Sequence, residues 1–294
     1  MSSRSAILLV LLSAVGFGSI ALFAHTAYAA GVSPTMLLAW RFLLAVAMLA
    51  PVVWLRRLPL PRGRTLAGFG LMGLLYTAQS QCYFTALMHA SSGLVGLLLY
   101  IYPVLVTLIA LAFGWERLDR RMLVLLLTAI AGLAIMLGGN LQGQPLGIAL
   151  GILGAAIYAV YITIGGRITQ NTDPLAATLV VMATAAIGNG SFAIASGDPL
   201  PAGGMAWLAI AAIALFSTVI AICTFLVGIK VIGPARASII STLEPVVTIC
   251  LGVIFLGESV SPQQLVGGAM VLGAVALLAQ RPKEIDDQSA VLAD

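Results

Sequence analysis

Charge is scarce in this chain: 14 Lys and Arg and 10 Asp and Glu make up 8% of its 294 residues. Soluble domains carry about a quarter of their residues as charges, so this composition excludes an ordinary water-facing surface. Histidine occurs twice and cysteine three times. Cys82, Cys223 and Cys250 lack metal-ligand spacing, and their odd number offers no disulfide framework, so all three are expected to be small core residues. No H-E-x-x-H, G-x-S-x-G or Walker loop is present. No polar stretch is long enough to form a nucleotide-hydrolysing domain. These absences argue against an enzyme, a metal centre, a bound cofactor and an ATP-driven pump. The net charge of +4 is scattered over short breaks rather than gathered on one surface, which argues against a nucleic-acid partner.

What the chain does have is apolar length. Hydrophobic residues make up 61% and the mean hydropathy is +1.10. The runs between polar breaks are close to the 20 or so residues that a helix needs to cross a bilayer. They predict an all-α membrane protein with the lipid bilayer as partner and ten spans. A β-barrel would instead alternate over about ten residues at a time. Span 1 is expected at Ala6 to Ala29. Its Ala27-Tyr28-Ala29 imitates a signal-peptide cleavage site, but the run is too long for a signal core and is kept as a helix. Span 2 follows from Pro34 to about Leu55, span 3 from Leu66 to Met88 and span 4 from Ser92 to Phe113. Span 5 ends near Leu137, and a turn-rich break including Gly138-Gly139-Asn140 leads to Pro145. Span 6 runs to Ile168, span 7 starts near Pro174 and span 8 covers Met205 to Ile229. Span 9 is expected as one helix within Gly233 to Ser259, and span 10 at Pro262 to Ala279. Residues 281–294 are expected to form a charged cytoplasmic tail.

Ten spans put both termini on one side. With the N-terminus inside, Arg4, Arg56, Arg57, Arg62, Arg64, Arg117, Arg120, Arg121, Arg167, Lys230, Arg236, Arg281 and Lys283 are all cytoplasmic. Only Arg41, inside span 2, is left over. That asymmetry is the positive-inside pattern and predicts cytoplasmic termini.

The chain also repeats itself. A shift of 142 residues lays Pro103 on Pro245, Phe113 on Phe255 and Glu116 on Glu258. Residues 1–138 and 146–280 thus read as two five-span units. Five being odd, the second unit enters the membrane upside down relative to the first, the arrangement on which alternating access is commonly built. Gly16-Phe17-Gly18, Arg41-Phe42, Pro103 with Gly114-Trp115-Glu116, and Leu243-Glu244-Pro245 with Gly257-Glu258 carry a resemblance covering about residues 6 to 280. With these motifs in this order the chain resembles the EamA-type drug/metabolite transporters, in particular bacterial amino-acid and metabolite exporters. Phe17 stands where that family usually has Trp.

Glu244 is the one acid deep in an apolar run. Ten residues of helix from Pro234 rise about 15 Å, half of a roughly 30 Å hydrocarbon core. A carboxylate there must be protonated, paired or wet. It is a candidate for binding a substrate ammonium or for exchanging a coupling proton; a neutral acid bonded at the Pro245 kink is the structural alternative. Arg41 is a candidate for an intramembrane ion pair with Glu244 or for a substrate carboxylate, against a plain helix-end arginine bonded to carbonyls. Tyr76, Gln79, Ser80 and Tyr83 give span 3 a polar face, and Tyr100, Tyr158 and Tyr161 lie at comparable depth. As a set they suggest a cavity for small amphipathic solutes, where each could alternatively serve packing. His25 and His89 are expected at outer helix ends, and Gly93, Gly96, Gly267 and Gly268 at close helix contacts.

The expected function is therefore a secondary carrier exporting small metabolites, amino acids foremost, across a bacterial inner membrane by alternating access. A drug or nucleotide-related substrate is the alternative within the same class. A nucleotide would call for several deep cations, and Arg41 is alone. A channel or an intramembrane enzyme would need a continuous pore or a convergent nucleophile or metal cluster.

Overall fold

The computed structural model describes residues 1–114, 120–138 and 142–279, with the backbone alone at 92–93. Glu116, Gly139-Asn140 and the tail 281–294 lie outside the described residues. The described chain is helical, with one isolated antiparallel bridge, Ala90 to Gly143. Span 1 comprises α1 (Ser3–Gly18) and α2 (Ile20–Ala29), span 2 is α3 (Pro34–Leu55) and span 3 is α4 (Gly63–Leu87). Span 4 comprises α5 (Ser92–Leu99) and α6 (Tyr102–Ala112); α7 (Arg120–Leu137), α8 (Pro145–Ile168) and α9 (Pro174–Ser196) are spans 5 to 7. Span 8 is α10 (Gly204–Ala214) and α11 (Ala221–Ile232), joined by a π-helical segment, Leu215–Ile220. Span 9 comprises α12 (Pro234–Ser241) and α13 (Glu244–Leu256), and α14 (Pro262–Ala279) is span 10.

Local chemistry sets most boundaries. Pro occupies the first turn of α3, α8, α9 and α12, where its missing N–H costs nothing. The Ser33 hydroxyl accepts from Met36 N–H at 3.3 Å, and Asp173 Oδ1 accepts from Leu175 N–H at 2.9 Å. Gly197 and Gly257 end α9 and α13 in the left-handed conformation. Nine spans are long and apolar enough to cross a membrane among the described residues. The tenth, α4, has 25 residues, about 37 Å of helix, and is set apart by its polar face.

The spans pair as a two-fold arrangement requires. Span 3 packs on span 6, and span 8, the repeat mate of span 3, packs on span 1, the mate of span 6. Spans 2 and 7, 4 and 9, and 5 and 10 each pack on their own counterparts. Connections between alternate spans meet as strict up-and-down threading demands: Ser33 with Asp198, His89 with Gln144, and Gln170 with Lys230. The result is two inverted five-helix repeats. Leu8, Ile194, Ile254 and Leu265 face outward, while Ser13, Thr77, Asn189, Ser217, Thr218 and Ser238 are buried. With a bilayer as solvent, apolar side chains lose nothing by facing out, and most of these buried polar groups find partners inside, Ser13 Oγ having none among the described residues. That same freedom corrects one expectation: Cys223 is buried and Cys82 partly so, but Cys250 is exposed on α13.

Four irregularities among the described residues depart from the expectation of continuous spans. Spans 4 and 9 both break, at Tyr100-Ile101 and at Thr242-Leu243. These positions are 142 residues apart, in the register of the repeat. In both copies the proline, Pro103 or Pro245, is the second residue of the helix that resumes. Span 9 is thus two helices, the second starting at Glu244. Ser19 interrupts span 1 without an equivalent in α8, and the π-helical segment of span 8 has none in α4. The two unmatched irregularities touch: Ser19 Oγ and Ser217 Oγ are 2.8 Å apart. Glycine makes the approach possible. A Cβ on Gly16 would stand 2.7 Å from the Phe216 carbonyl oxygen, and one on Gly18 2.7 Å from that of Glu244. Gly132 and Gly267 interlock in the same way between α7 and α14.

Candidate substrate site

Glu244 opens α13, so its carboxylate sits at a helix N-terminus, where the positive end of the helix dipole lies and the second residue, Pro245, has no N–H to offer. Its backbone carbonyl faces Gly18, and the Thr248 hydroxyl lies 2.9 Å from the Gly18 carbonyl and 3.1 Å from that of Glu244. The end of α1 and the start of α13 are thereby tied together at mid-membrane. Of the two carboxylate oxygens, Oε2 accepts a long 3.5 Å hydrogen bond from the Tyr100 hydroxyl. Oε1 is sealed from the surface and has no hydrogen-bond partner among the described residues. Because Tyr100 stands in the matching break of span 4, the two interruptions face each other through this contact.

A ladder of tyrosines leads away from Glu244. Tyr100 and Tyr102 have ring centroids 6.2 Å apart, Tyr102 meets Tyr158 edge-on at 4.8 Å, and Tyr158 stacks on Tyr161 at 5.7 Å. Tyr76 closes the run, 5.5 Å from Tyr161 and 6.5 Å from Tyr158, and itself meets Phe42 at 5.4 Å. Tyr83, Tyr100, Tyr102 and Tyr158 are all within electrostatic reach of the Glu244 carboxyl. The structure therefore brings together Tyr76, Tyr100, Tyr158, Tyr161 and Glu244, with Tyr83 on the margin against Phe84. Gln79 is buried near Gly154, and the Ser80 hydroxyl donates to the Tyr76 carbonyl of its own helix at 2.8 Å. These rings pack on one another. Two concavities lie elsewhere, near the end of α3 (about 570 Å³) and around His89 and Gln144 (about 440 Å³).

Arg41 is at the other end of the ladder and is held by neutral groups rather than by a carboxylate. Its Nε donates to Thr218 Oγ1 at 2.6 Å, and Nη2 donates to the Ser217 carbonyl at 3.1 Å and to the Tyr76 hydroxyl at 3.4 Å. The guanidinium also lies 5.0 Å from the Phe42 ring centroid. Thr218 Oγ1 in turn donates to the carbonyl of Ile213, five residues back. Five is the spacing of the wider π turn. Arg41 therefore braces the irregular segment of span 8, and none of its hydrogen-bond partners among the described residues is a carboxylate.

Sequence reasoning passed over Tyr102 as a site residue, although the repeat aligns it with Glu244. It is 1% exposed, and its hydroxyl lies beside that of Ser241, neither making a well-formed hydrogen bond among the described residues. Ser217 and Thr218 were also missed. The polar pair inside a long apolar run was the available signal, but nothing local indicates a π turn.

The sequence pattern of the EamA-like transporter family matches residues 4–138 and again 145–280. The chain belongs to the EamA-like transporter family. This EamA-like transporter is 30% identical over 249 residues to "Uncharacterized inner membrane transporter YedA" of Escherichia coli (strain K12), covering 83% of this chain and 81% of that protein. It is 28% identical over 278 residues to "Uncharacterized transporter YcbK" of Bacillus subtilis (strain 168), covering 88% and 87%. A solved crystal structure superposes with a TM-score of 0.81 at 25% identity, covering 96% of this chain and all of that one. The protein is thus a multi-pass membrane transporter.

Proposed function

We propose that this EamA-like transporter exports small amphipathic metabolites, amino acids foremost, across a bacterial inner membrane by alternating access of its two inverted halves, with both termini cytoplasmic. The observation that carries the substrate class is the unpartnered, buried Oε1 of Glu244 at the head of a tyrosine ladder. An ammonium supplies the donors this oxygen lacks, and tyrosine rings with hydroxyls accept both the apolar and the polar parts of a small solute. The single deep cation, Arg41, is already engaged by three protein groups, which disfavours a polyanionic nucleotide. Ring-on-ring packing at mid-depth suits a carrier that opens to one side at a time better than it suits a continuous pore. Residues 1–138 and 146–280 are proposed as the two moving units.

Counterflow of labelled amino acids into liposomes tests the substrate class. Saturable exchange of at least one of them is expected, and none across the panel would overturn it. Coupling is tested separately with Glu244→Gln under an imposed pH gradient. If this acid exchanges the proton, gradient-driven flux falls to the counterflow level; unchanged driven flux would remove Glu244 from that role.

A further inference from the structure

The turn after span 2 holds an arginine where the fold calls for glycine. Left-handed backbone follows α6 at Gly114 (φ 64°), α9 at Gly197 (φ 66°) and α13 at Gly257 (φ 69°). After α3 it falls on Arg57 (φ 52°), the one non-glycine residue with positive φ among those described. The hydrogen bonds are those of a Schellman ending: Leu58 N–H donates to the Val53 carbonyl and Arg57 N–H to that of Trp54, both at 3.0 Å. Repeat register sharpens the contrast. Pro34 and Pro174 open α3 and α9, 140 residues apart, and the same shift puts Arg57 on Gly197. A side chain in this conformation pays a steric penalty that glycine avoids, so the arginine calls for a reason other than the turn.

That reason is beside it. Arg57 borders the concavity of about 570 Å³ between this turn and α9, whose walls include Val53, Trp54, Leu58, Leu60 and Leu179. Trp54 is 78% exposed and Leu60 52%. An exposed tryptophan beside an arginine at a span end is the signature of the membrane interface. The Arg57 side chain makes no hydrogen bond or ion pair among the described residues, and Arg56, Arg62 and Arg64, near it in the chain, are exposed. An apolar groove open to the bilayer with a free cation at its water end has the chemistry of a phospholipid bearing an anionic headgroup.

We propose that this groove binds an anionic phospholipid, its phosphate on Arg57 and an acyl chain along Val53, Leu58 and Leu179. The site is separate from the Glu244 ladder, and it depends on the proposed orientation only for its assignment to the cytoplasmic leaflet.

The test is native mass spectrometry of the full chain titrated with phosphatidylglycerol and phosphatidylcholine of equal chain length. Wild type is expected to prefer phosphatidylglycerol, and Arg57→Gly to lose roughly fivefold of that preference, the share of one interfacial cation. Because glycine is the residue this turn favours, the variant should melt no lower than wild type without added lipid, which separates lost binding from lost folding. Arg57→Lys should keep most of the preference. Retention of the full wild-type preference by Arg57→Gly overturns the proposal. So does displacement of the lipid by millimolar glycerol phosphate, which would make this a site for a free phosphate compound.

Discussion

If Arg41 braces the π-helical segment of span 8, then Arg41 and Thr218 must be energetically coupled, and a double-mutant cycle measures that coupling. Arg41→Met keeps much of the side chain's length and removes the donors to Thr218 Oγ1, the Ser217 carbonyl and the Tyr76 hydroxyl. Thr218→Val keeps the shape and removes both the acceptor for Arg41 and the donor to the Ile213 carbonyl. Interhelical polar contacts in membranes average about 0.6 kcal/mol and reach about 1.7 kcal/mol. The 2.6 Å contact with an ionised donor belongs near the upper end, so a coupling of about 1 to 1.5 kcal/mol is expected. Arg41→Met alone should cost about 2 to 4 kcal/mol, since three buried hydrogen bonds from a charged donor go at once. Reversible unfolding in mixed micelles, monitored by the fluorescence of Trp40 and Trp207, whose rings meet at 4.8 Å beside this region, reads both quantities. Single-mutant effects that add to within about 0.3 kcal/mol would refute the brace, because independent sites behave that way.

The remaining predictions use other contacts. Gly18→Ala places a Cβ 2.7 Å from the Glu244 carbonyl oxygen and 2.8 Å from Val247 Cβ, so it should cost about 1 to 3 kcal/mol by overpacking. Gly190→Ala, with open space around its Cβ, should be neutral in the same unfolding assay. Tyr102→Phe removes a buried hydroxyl that lies beside Ser241 without a well-formed hydrogen bond, and should cost no more than about 1 kcal/mol of stability while weakening substrate counterflow; a larger loss would mean the hydroxyl is firmly bonded. Hydroxyl donors from Thr35 and Ser33 hold the Asp198 carboxyl below the usual carboxylate range. A lowered acid contributes stability above its usual value that is lost as pH falls through the lowered one. Thermal unfolding should therefore weaken below about pH 4 in wild type, and Asp198→Asn should flatten that dependence. An unchanged low-pH profile would count against the tie between the two connections.

Glu244 shows how far local reading reached. Its depth, its proline and its repeat partner were all visible in the chain, because counting residues along an apolar run is a one-dimensional operation. Its status as the first residue of a new helix was not. The start of the resumed helix packs on Gly18 of span 1, whose carbonyl accepts from the Thr248 hydroxyl 230 residues along the chain, and that contact belongs to the fold rather than to the local sequence. Arg41 repeats the lesson: its burial could be anticipated, but its neutral partners Thr218 and Ser217 are 177 and 176 residues away.

What the sequence determined alone was the number of crossings, their approximate ends and the two-fold repetition. Bilayer thickness imposes a length on each apolar run, and duplication leaves a linear register between Pro103 and Pro245. What only the tertiary structure decided was where those crossings come apart: at Ser19, at the paired breaks before Tyr102 and Glu244, and at Leu215–Ile220. Inside a membrane an interrupted helix survives only if other spans satisfy the backbone groups it releases, and that condition is set by packing across the two repeats.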